Sequence, residues 1–182
     1  MARNTYSLFE ISALKGNVLF SAISTATVTN TAGEATLVST IIGSTSIPAN
    51  FLTVGRSLRI TASGYYSTAA VPGTLRVRMY LSNSAVLDTT ASTAPSSSTN
   101  LFFEANGVFT CRSTGATGTS FSQGNVVFST GLTGAQVWEM TTNGVIGINT
   151  TTAMNLDVRV LWGTADASNS ISGTNVVAEV LN

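Results

Sequence analysis

Apolar and polar residues alternate along two stretches of the chain in the manner of β-strands. Between Gly73 and Leu81 the apolar set is Leu75, Val77, Met79 and Leu81, and the intervening set is Thr74, Arg76, Arg78 and Tyr80. Between Ser57 and Tyr65 the apolar set is Leu58, Ile60 and Ala62, and the intervening set includes Arg59 and Thr61. Each stretch predicts a strand with one buried side and one solvent-facing side.

Proline and glycine mark the ends of these strands. Pro72 and Gly73 come directly before the second strand, where proline presets φ and glycine accepts a positive φ, so they predict a turn. Pro48 follows the apolar run from residue 36 to residue 42, and a proline is confined to strand ends and edges because it has no N–H for the ladder. Residues 36–88 therefore predict three or four strands joined by turns.

Similar stretches continue to the end of the chain. They predict strands within residues 101–111, 121–130, 137–142, 145–148, 156–162 and 174–181, with polar loops at 89–99, 113–119 and 163–173. The pair Asn106-Gly107 is a candidate bulge or hairpin turn. Eight or more strands without a convincing helical connection predict an all-β fold, namely an antiparallel two-sheet β-sandwich of jelly-roll type, formed as one domain by residues 36–182.

Residues 1–35 are predicted to form an extended N-terminal arm or an edge segment outside this domain. Apolar residues between Ser7 and Phe20 have the spacing of a short helix, but Gly16 and Asn17 interrupt it. The Ser/Thr/Val-rich residues that follow are more typical of an edge strand or an arm. Because extended backbone needs hydrogen-bond partners, we expect the arm to pair with a neighbouring subunit or a capsid.

Three segments of the chain resemble a known family. They are IPANFLTVG at residues 47–55, LRITASGY at residues 58–65 and TLRVRMYL at residues 74–81. These segments are similar to the jelly-roll domain of tailed-bacteriophage structural proteins, which include capsid cement or decoration proteins and tail or fibre domains. The resemblance implies a virion protein that forms a homotrimer and contacts the major capsid protein or other virion proteins.

Charge is scarce in this sequence. Only 9% of its 182 residues are charged, and eight basic residues balance eight acidic ones, so there is no electrostatic basis for binding nucleic acid. Four arginines, Arg56, Arg59, Arg76 and Arg78, lie close together in the sequence and are candidate partner contacts. Alternatively, they are solvated strand residues that pair with Asp and Glu.

The residues needed for common catalytic sites are missing or isolated. Histidine is absent and Cys111 is the single cysteine, which removes Ser-His-Asp and Cys-His arrangements, most zinc sites and an intrachain disulfide. Carboxylate pairs for glycoside hydrolysis could come from Asp88, Glu104, Glu139, Asp157, Asp166 and Glu179, but their spacing pairs none of them. We therefore expect no enzymatic activity, no metal and no cofactor.

Two function classes remain open. The first is a non-enzymatic virion structural protein, with a capsid cement or decoration protein expected before a tail or fibre component. The second is a carbohydrate-binding module that recognises a cell-surface glycan through aromatic residues, for which the candidates are Tyr65, Tyr66, Tyr80, Trp138 and Trp162. The sequence carries neither a signal peptide nor a stretch of 18 apolar residues, so export and membrane partners are not expected. A virion part would be made in the host cytoplasm.

Overall fold

The structure is a computed structural model, and it describes residues 18–142 and 144–182. Within these residues the chain forms fifteen β-strands and no helix. The strands are β1 (Val18–Ala22), β2 (Ala26–Thr29), β3 (Ala35–Thr36), β4 (Ile41–Gly43), β5 (Ser46–Ile47), β6 (Ser57–Ser67), β7 (Thr74–Leu81), β8 (Ser84–Asp88), β9 (Ser92–Thr93), β10 (Leu101–Ser113), β11 (Gly118–Ser129), β12 (Ala135–Thr141), β13 (Ile146–Ile148), β14 (Met154–Trp162) and β15 (Ser170–Val180). Nothing in the described ranges is a helix long and apolar enough to cross a membrane.

The strands form two antiparallel sheets that pack against each other. The large sheet has the strand order β12, β11, β10, β6, β15, β1 and β4, with β13 beside β11 and β2 beside β15. The small sheet has the order β3, β14, β7 and β8, with β5 beside β14 and β9 beside β7. The sets β1-β15-β6-β10 and β3-β14-β7-β8 follow the strand order of a jelly roll. The prediction of an all-β, antiparallel two-sheet sandwich is confirmed.

Burial in β6 and β7 follows the predicted alternation. Leu75, Val77 and Met79 of β7 are fully buried, and Leu58 and Ile60 of β6 are buried in the facing sheet. Burying a side chain of this size contributes about 1.5–3 kcal/mol. The alternation therefore determines which face of each strand lies between the two sheets.

Aromatic rings of the large sheet form the bulkiest part of the core. Phe128 of β11 packs edge-on to Tyr66 of β6, with ring centroids 5.1 Å apart, and its centroid is 4.6 Å from that of Trp138 of β12. Phe103 of β10 stacks on the same ring at 6.1 Å. Such pairs contribute about 0.5–1.5 kcal/mol beyond their burial. They hold four adjacent strands of the large sheet in one register.

The predicted arm of residues 1–35 is wrong from Val18 onward. Strand β1 pairs with the central strand β15 and with β4, β2 also pairs with β15, and β3 pairs with β14. Phe20 of β1 is almost fully buried, so this stretch satisfies its backbone groups and buries its apolar side chains within its own sandwich. Residues 1–17, which carry the rest of the predicted arm, lie outside the described residues.

Two local predictions are also wrong. Asn106 and Gly107 form neither a turn nor a bulge, because both lie inside the continuous strand β10. Gly107 faces the core, where a side chain would collide with Leu87 and Met79 of the small sheet. The predicted exposed loop of residues 89–99 includes strand β9 and buries Thr89, whose hydroxyl accepts a hydrogen bond from the Val77 N–H at 2.9 Å.

Candidate interaction surface on the large sheet

Each sheet has an outer face that the other sheet leaves uncovered, because alternate side chains of a strand point away from the core. The outward residues of the larger sheet form the large-sheet face, to which β1, β4, β6, β10, β11, β12 and β15 contribute. Its members include Ile42, Arg59, Thr61, Tyr65, Phe102, Glu104, Asn106, Arg112, Gln123, Asn125, Val137, Glu139 and Glu179. The small-sheet face comprises Glu34, Arg76, Arg78, Tyr80, Asp88, Asp157 and Arg159.

Asp88 anchors one end of the small-sheet face. Arg76 donates two hydrogen bonds to its carboxylate, from Nε to Oδ1 at 2.8 Å and from Nη2 to Oδ2 at 2.5 Å, and Arg78 Nε donates to Oδ2 at 3.3 Å. The Thr90 N–H donates to Oδ1 at 2.8 Å. Burial alone would raise the pKa of Asp88, but the hydrogen bonds from Arg76 and Thr90 and the charges of Arg76 and Arg78 hold that pKa below its usual value.

Glu34 links the rest of the small-sheet face. It accepts hydrogen bonds from Arg78 Nη1 at 2.7 Å and from the Tyr80 hydroxyl at 2.9 Å, and it lies 3.8 Å from Arg159 Nη1. Arg159 also donates to Asp157 at 2.6 Å and stacks 4.5 Å above the Tyr80 ring. Three guanidinium groups and three carboxylates thus neutralise one another on this face.

The large-sheet face carries exposed apolar side chains instead. Tyr65 of β6 and Phe102 of β10 are cross-strand partners, and they are 48% and 45% exposed. Val137 on the edge strand β12 is 59% exposed, and Ile42 on the opposite edge strand β4 is 67% exposed. Tyr65 and Phe102 are adjacent to each other, whereas Val137 and Ile42 lie on opposite edges of the sheet, so the candidate interaction patch is centred on Tyr65 and Phe102.

A row of polar side chains crosses the middle of the large-sheet face. The Thr61 hydroxyl donates to Asn106 Oδ1 at 2.8 Å, and Asn106 Nδ2 donates to Glu104 Oε1 at 2.5 Å. Asn125 of β11 is paired with Asn106 in the sheet register. These contacts orient the Asn106 amide, which has a second N–H that can bind another molecule. Thr61, Asn106 and Asn125 of this row line a shallow, open groove of about 700 Å³, together with Gln123 and neighbouring residues.

The charges on the large-sheet face are few and of both signs. Arg59 of β6 and Glu179 of β15 are cross-strand partners and form an exposed ion pair at 3.0 Å, a type of contact that contributes little to stability. Arg112 lies 5.5 Å above the Phe121 ring. This face therefore combines apolar groups, amides and hydroxyls with no field of a single sign.

The four candidate arginines do not form one patch. Arg76 and Arg78 lie on the small-sheet face, where both contact Asp88, whereas Arg59 lies on the large-sheet face beside Glu179. Arg56 precedes β6, stacks 4.4 Å above the Phe51 ring and donates to the Phe51 carbonyl at 2.5 Å. The structure thus separates the four arginines onto different parts of the surface.

The aromatic residues predicted to form a glycan platform do not lie together on the surface. Tyr65 is substantially exposed, whereas the other four candidates are buried, namely Tyr66, Tyr80, Trp138 and Trp162. Phe102, its neighbour on the large-sheet face, was missed by the sequence analysis. The run Leu101-Phe102-Phe103 carries the signal that could have found it, because in a strand with a period of two the middle of three apolar residues must point away from the other two.

The candidate carboxylates are divided between the two faces in a similar way. Asp88 and Asp157 bind arginines on the small-sheet face. Glu104, Glu139 and Glu179 belong to the large-sheet face, and Asp166 lies in the turn before β15, where it accepts a hydrogen bond from the Ser168 N–H.

Burial raises the pKa of the Cys111 thiol, despite a weak hydrogen bond to the Ser113 carbonyl, and this favours the protonated form that packs in the core.

Comparisons with known proteins give no relative from which to assign a function. A scan against protein-family models and a search of curated proteins both find no match to this chain. The two outer faces and the resemblance carried by residues 47–81 are therefore the grounds on which a function is proposed.

Proposed function

We propose that this protein is a non-enzymatic structural component of a virion and that it acts as a capsid cement or decoration protein, which stabilises the head of a tailed bacteriophage. The contrast between the two outer faces carries this proposal. The small-sheet face neutralises its charges internally, whereas the large-sheet face exposes apolar groups, amides and hydroxyls. A face of that kind is suited to burial against another protein.

The resemblance of residues 47–81 also supports a virion role. Its first segment leads from β5 into the turn before β6, and its other two segments coincide with β6 and β7, which lie in the centre of the two facing sheets. The segments therefore correspond to a continuous unit of the sandwich. The same unit would serve in a tail or fibre component, which is the close alternative within this proposal.

Electron microscopy of particles with and without the protein tests the proposal and separates head from tail. We expect extra density at regular positions on the shell of particles that contain the protein. Density confined to the tail would replace the cement assignment by the tail or fibre alternative. Particles that never bind the protein would overturn the virion proposal.

A carbohydrate-binding role is the second candidate, and one observation favours it. The groove on the large-sheet face offers the amides of Asn106, Gln123 and Asn125, and Tyr65 is exposed on the same face. Amides and an aromatic face are the groups that bind sugar hydroxyls and ring C–H groups. Calorimetric titration with neutral oligosaccharides tests this role: binding that Asn106→Ala abolishes would support it, and no heat at millimolar ligand would reject it.

A further inference from the structure

The outer edge of β12 is the longest uncovered strand edge in the described part of the chain. β12 has seven residues, whereas the next longest edge strand, β8, has five. One side of β12 bonds to β11, and no backbone hydrogen bond reaches its other side from any described residue. We infer that this free edge binds an extended strand of a different protein by β-strand addition. The inference goes beyond the proposed function, which concerns the two outer faces, and does not depend on it.

The alternation of the ladder between β11 and β12 identifies which backbone groups of β12 are free. Residues opposite each other in an antiparallel pair alternate between hydrogen-bonded and non-hydrogen-bonded positions. The Thr130 N–H donates to the Gly134 carbonyl at 2.9 Å, and the register that follows has no shift along β12. Every second residue after Gly134 therefore bonds to β11. The N–H and C=O groups that point to the free edge belong to the residues between them, namely Ala135, Val137, Glu139 and Thr141.

This edge lacks most of the features that keep other chains from pairing with an edge strand. Proteins protect such edges with short strands, lysine, proline or a bulge. β12 contains neither lysine nor proline, and its ladder with β11 is regular, whereas the pairing of the edge strand β8 with β7 has an irregular register. Val137 is 59% exposed beside the free edge. A strand added here would extend the large sheet, satisfy the free backbone groups and cover part of Val137.

Glu139 determines which strand fits this edge. It is exposed, it is the single charged residue of β12, and it forms no ion pair or hydrogen bond with any residue that the structure describes. Opposite charges on neighbouring strands stabilise a pair, so the partner strand carries Lys or Arg opposite Glu139 and an apolar residue opposite Val137. A second copy of β12 has no basic residue to offer. The described strands that contain arginine, which are β6, β7, β10 and β14, already pair on both sides within the sandwich, so the partner is a different protein.

Amide hydrogen exchange followed by NMR tests the inference, with a synthetic peptide as the probe. The lysine peptide alternates valine and threonine over about nine residues, a usual strand length, and has lysine at its centre. The glutamate peptide has glutamate there instead. We expect the Val137 and Glu139 amides to exchange rapidly in the free protein and to be protected by the lysine peptide at about 1 mM. The glutamate peptide should bind about fivefold more weakly, and Glu139→Lys should reverse this preference.

Val137→Pro and Val137→Thr are the matched pair of protein variants. Proline removes the N–H that points to the free edge but no hydrogen bond to β11, and edge strands tolerate proline. The proline variant should therefore keep the β circular dichroism and bind the lysine peptide at least about tenfold more weakly. Threonine keeps the N–H and should bind within about twofold of the wild type. The exchange measurement on the wild type decides the matter if the proline variant does not fold.

Several results would overturn the inference. Slow exchange of the Val137 and Glu139 amides in dilute free protein would mean that the chain covers this edge itself. Protection that rises with protein concentration without any peptide would mean that a second copy occupies the edge. Absence of protection by the lysine peptide, or a folded Val137→Pro variant that binds it as well as the wild type does, would exclude strand addition. None of these results bears on the virion role, which electron microscopy of particles tests separately.

Discussion

Ser120 and Ser122 are buried side by side on the core face of β11, and their hydroxyls have no hydrogen-bond partner among the described residues. A buried polar group without a partner costs about 1–3 kcal/mol, because it gives up its hydrogen bonds to water and regains none. We therefore predict that Ser122→Ala raises the free energy of unfolding by about 1 kcal/mol. Urea denaturation measures this as a higher midpoint with an unchanged slope.

Ser98 supplies the matched control for this prediction. It is also buried, but its hydroxyl donates to the Tyr66 hydroxyl at 3.3 Å. Ser98→Ala leaves that partner with one contact fewer, so its expected effect has the opposite sign, a loss of about 1 kcal/mol. If both alanine variants are destabilised alike, a hydrogen-bond partner for Ser122 must exist after all.

At the scale of elements, the ion pairs of the small-sheet face join β7, β8 and the segment before β3. Asp88→Asn removes the charge that Arg76 and Arg78 bind, and hydrogen bonds to charged groups contribute about 1.5–3 kcal/mol. We predict a loss of about 2 kcal/mol at pH 7. Glu179→Gln, which breaks the exposed pair with Arg59, should cost less than about 1 kcal/mol.

The loss caused by Asp88→Asn should depend on pH in a defined direction. The folded-state pKa of Asp88 is lowered, so its contribution is fully present above the unfolded-state pKa of about 3.9 and disappears as the pH falls through the lower folded-state value. The difference in stability between wild type and variant should therefore be constant from neutral pH to about pH 5 and shrink under more acidic conditions. A difference that persists undiminished at about pH 2 would contradict this account.

The strands that alternate strictly were the ones that sequence could predict. Apolar and polar residues alternate in β6 and β7, and burial follows that pattern in both strands except at Tyr80, which lies on the outer side of β7 but is buried under its neighbours. The sequence predicts an arm here instead of β1, because the helical spacing of its apolar residues is interrupted at Gly16 and Asn17 and the residues of Val18–Ala22 do not alternate. Asn106-Gly107 has the sequence of a hairpin turn, but both residues lie inside the extended strand β10, where the small sheet packs on Gly107.

The candidate surface was less predictable than the fold, because pairing between distant strands decides which outward residues become neighbours. Arg59 and Arg76 are close in sequence but belong to different sheets, which places them on opposite faces. Tyr65 and Phe102 are 37 residues apart but are cross-strand partners. The alternation within each strand predicts which residues point outward. It does not predict the order of the strands in the sheet, and that order decides which outward residues become neighbours.

For the whole molecule, the distribution of charge bears on the proposed attachment to a virus particle. Arg76, Arg78 and Arg159 are bound by carboxylates of the same chain, and Arg59 pairs with Glu179. An electrostatic contact with a capsid through any of these four arginines would first have to break these pairs. Attachment through apolar packing and hydrogen bonds on the large-sheet face requires no such exchange, so the attachment should be insensitive to salt.

We accordingly predict that the protein stays on particles washed at about 1 M salt, where the Debye length is roughly 3 Å. An added basic protein that is held only by charge should wash off under the same conditions and serves as the control. A ligand that binds only the assembled shell stabilises the shell by about 2.7 kcal/mol per site when the free ligand concentration is 100 times the dissociation constant. Particles that retain the protein should therefore also release their DNA at a higher temperature. Loss of the protein in salt would contradict the apolar attachment, and retention with an unchanged release temperature would contradict the cement role.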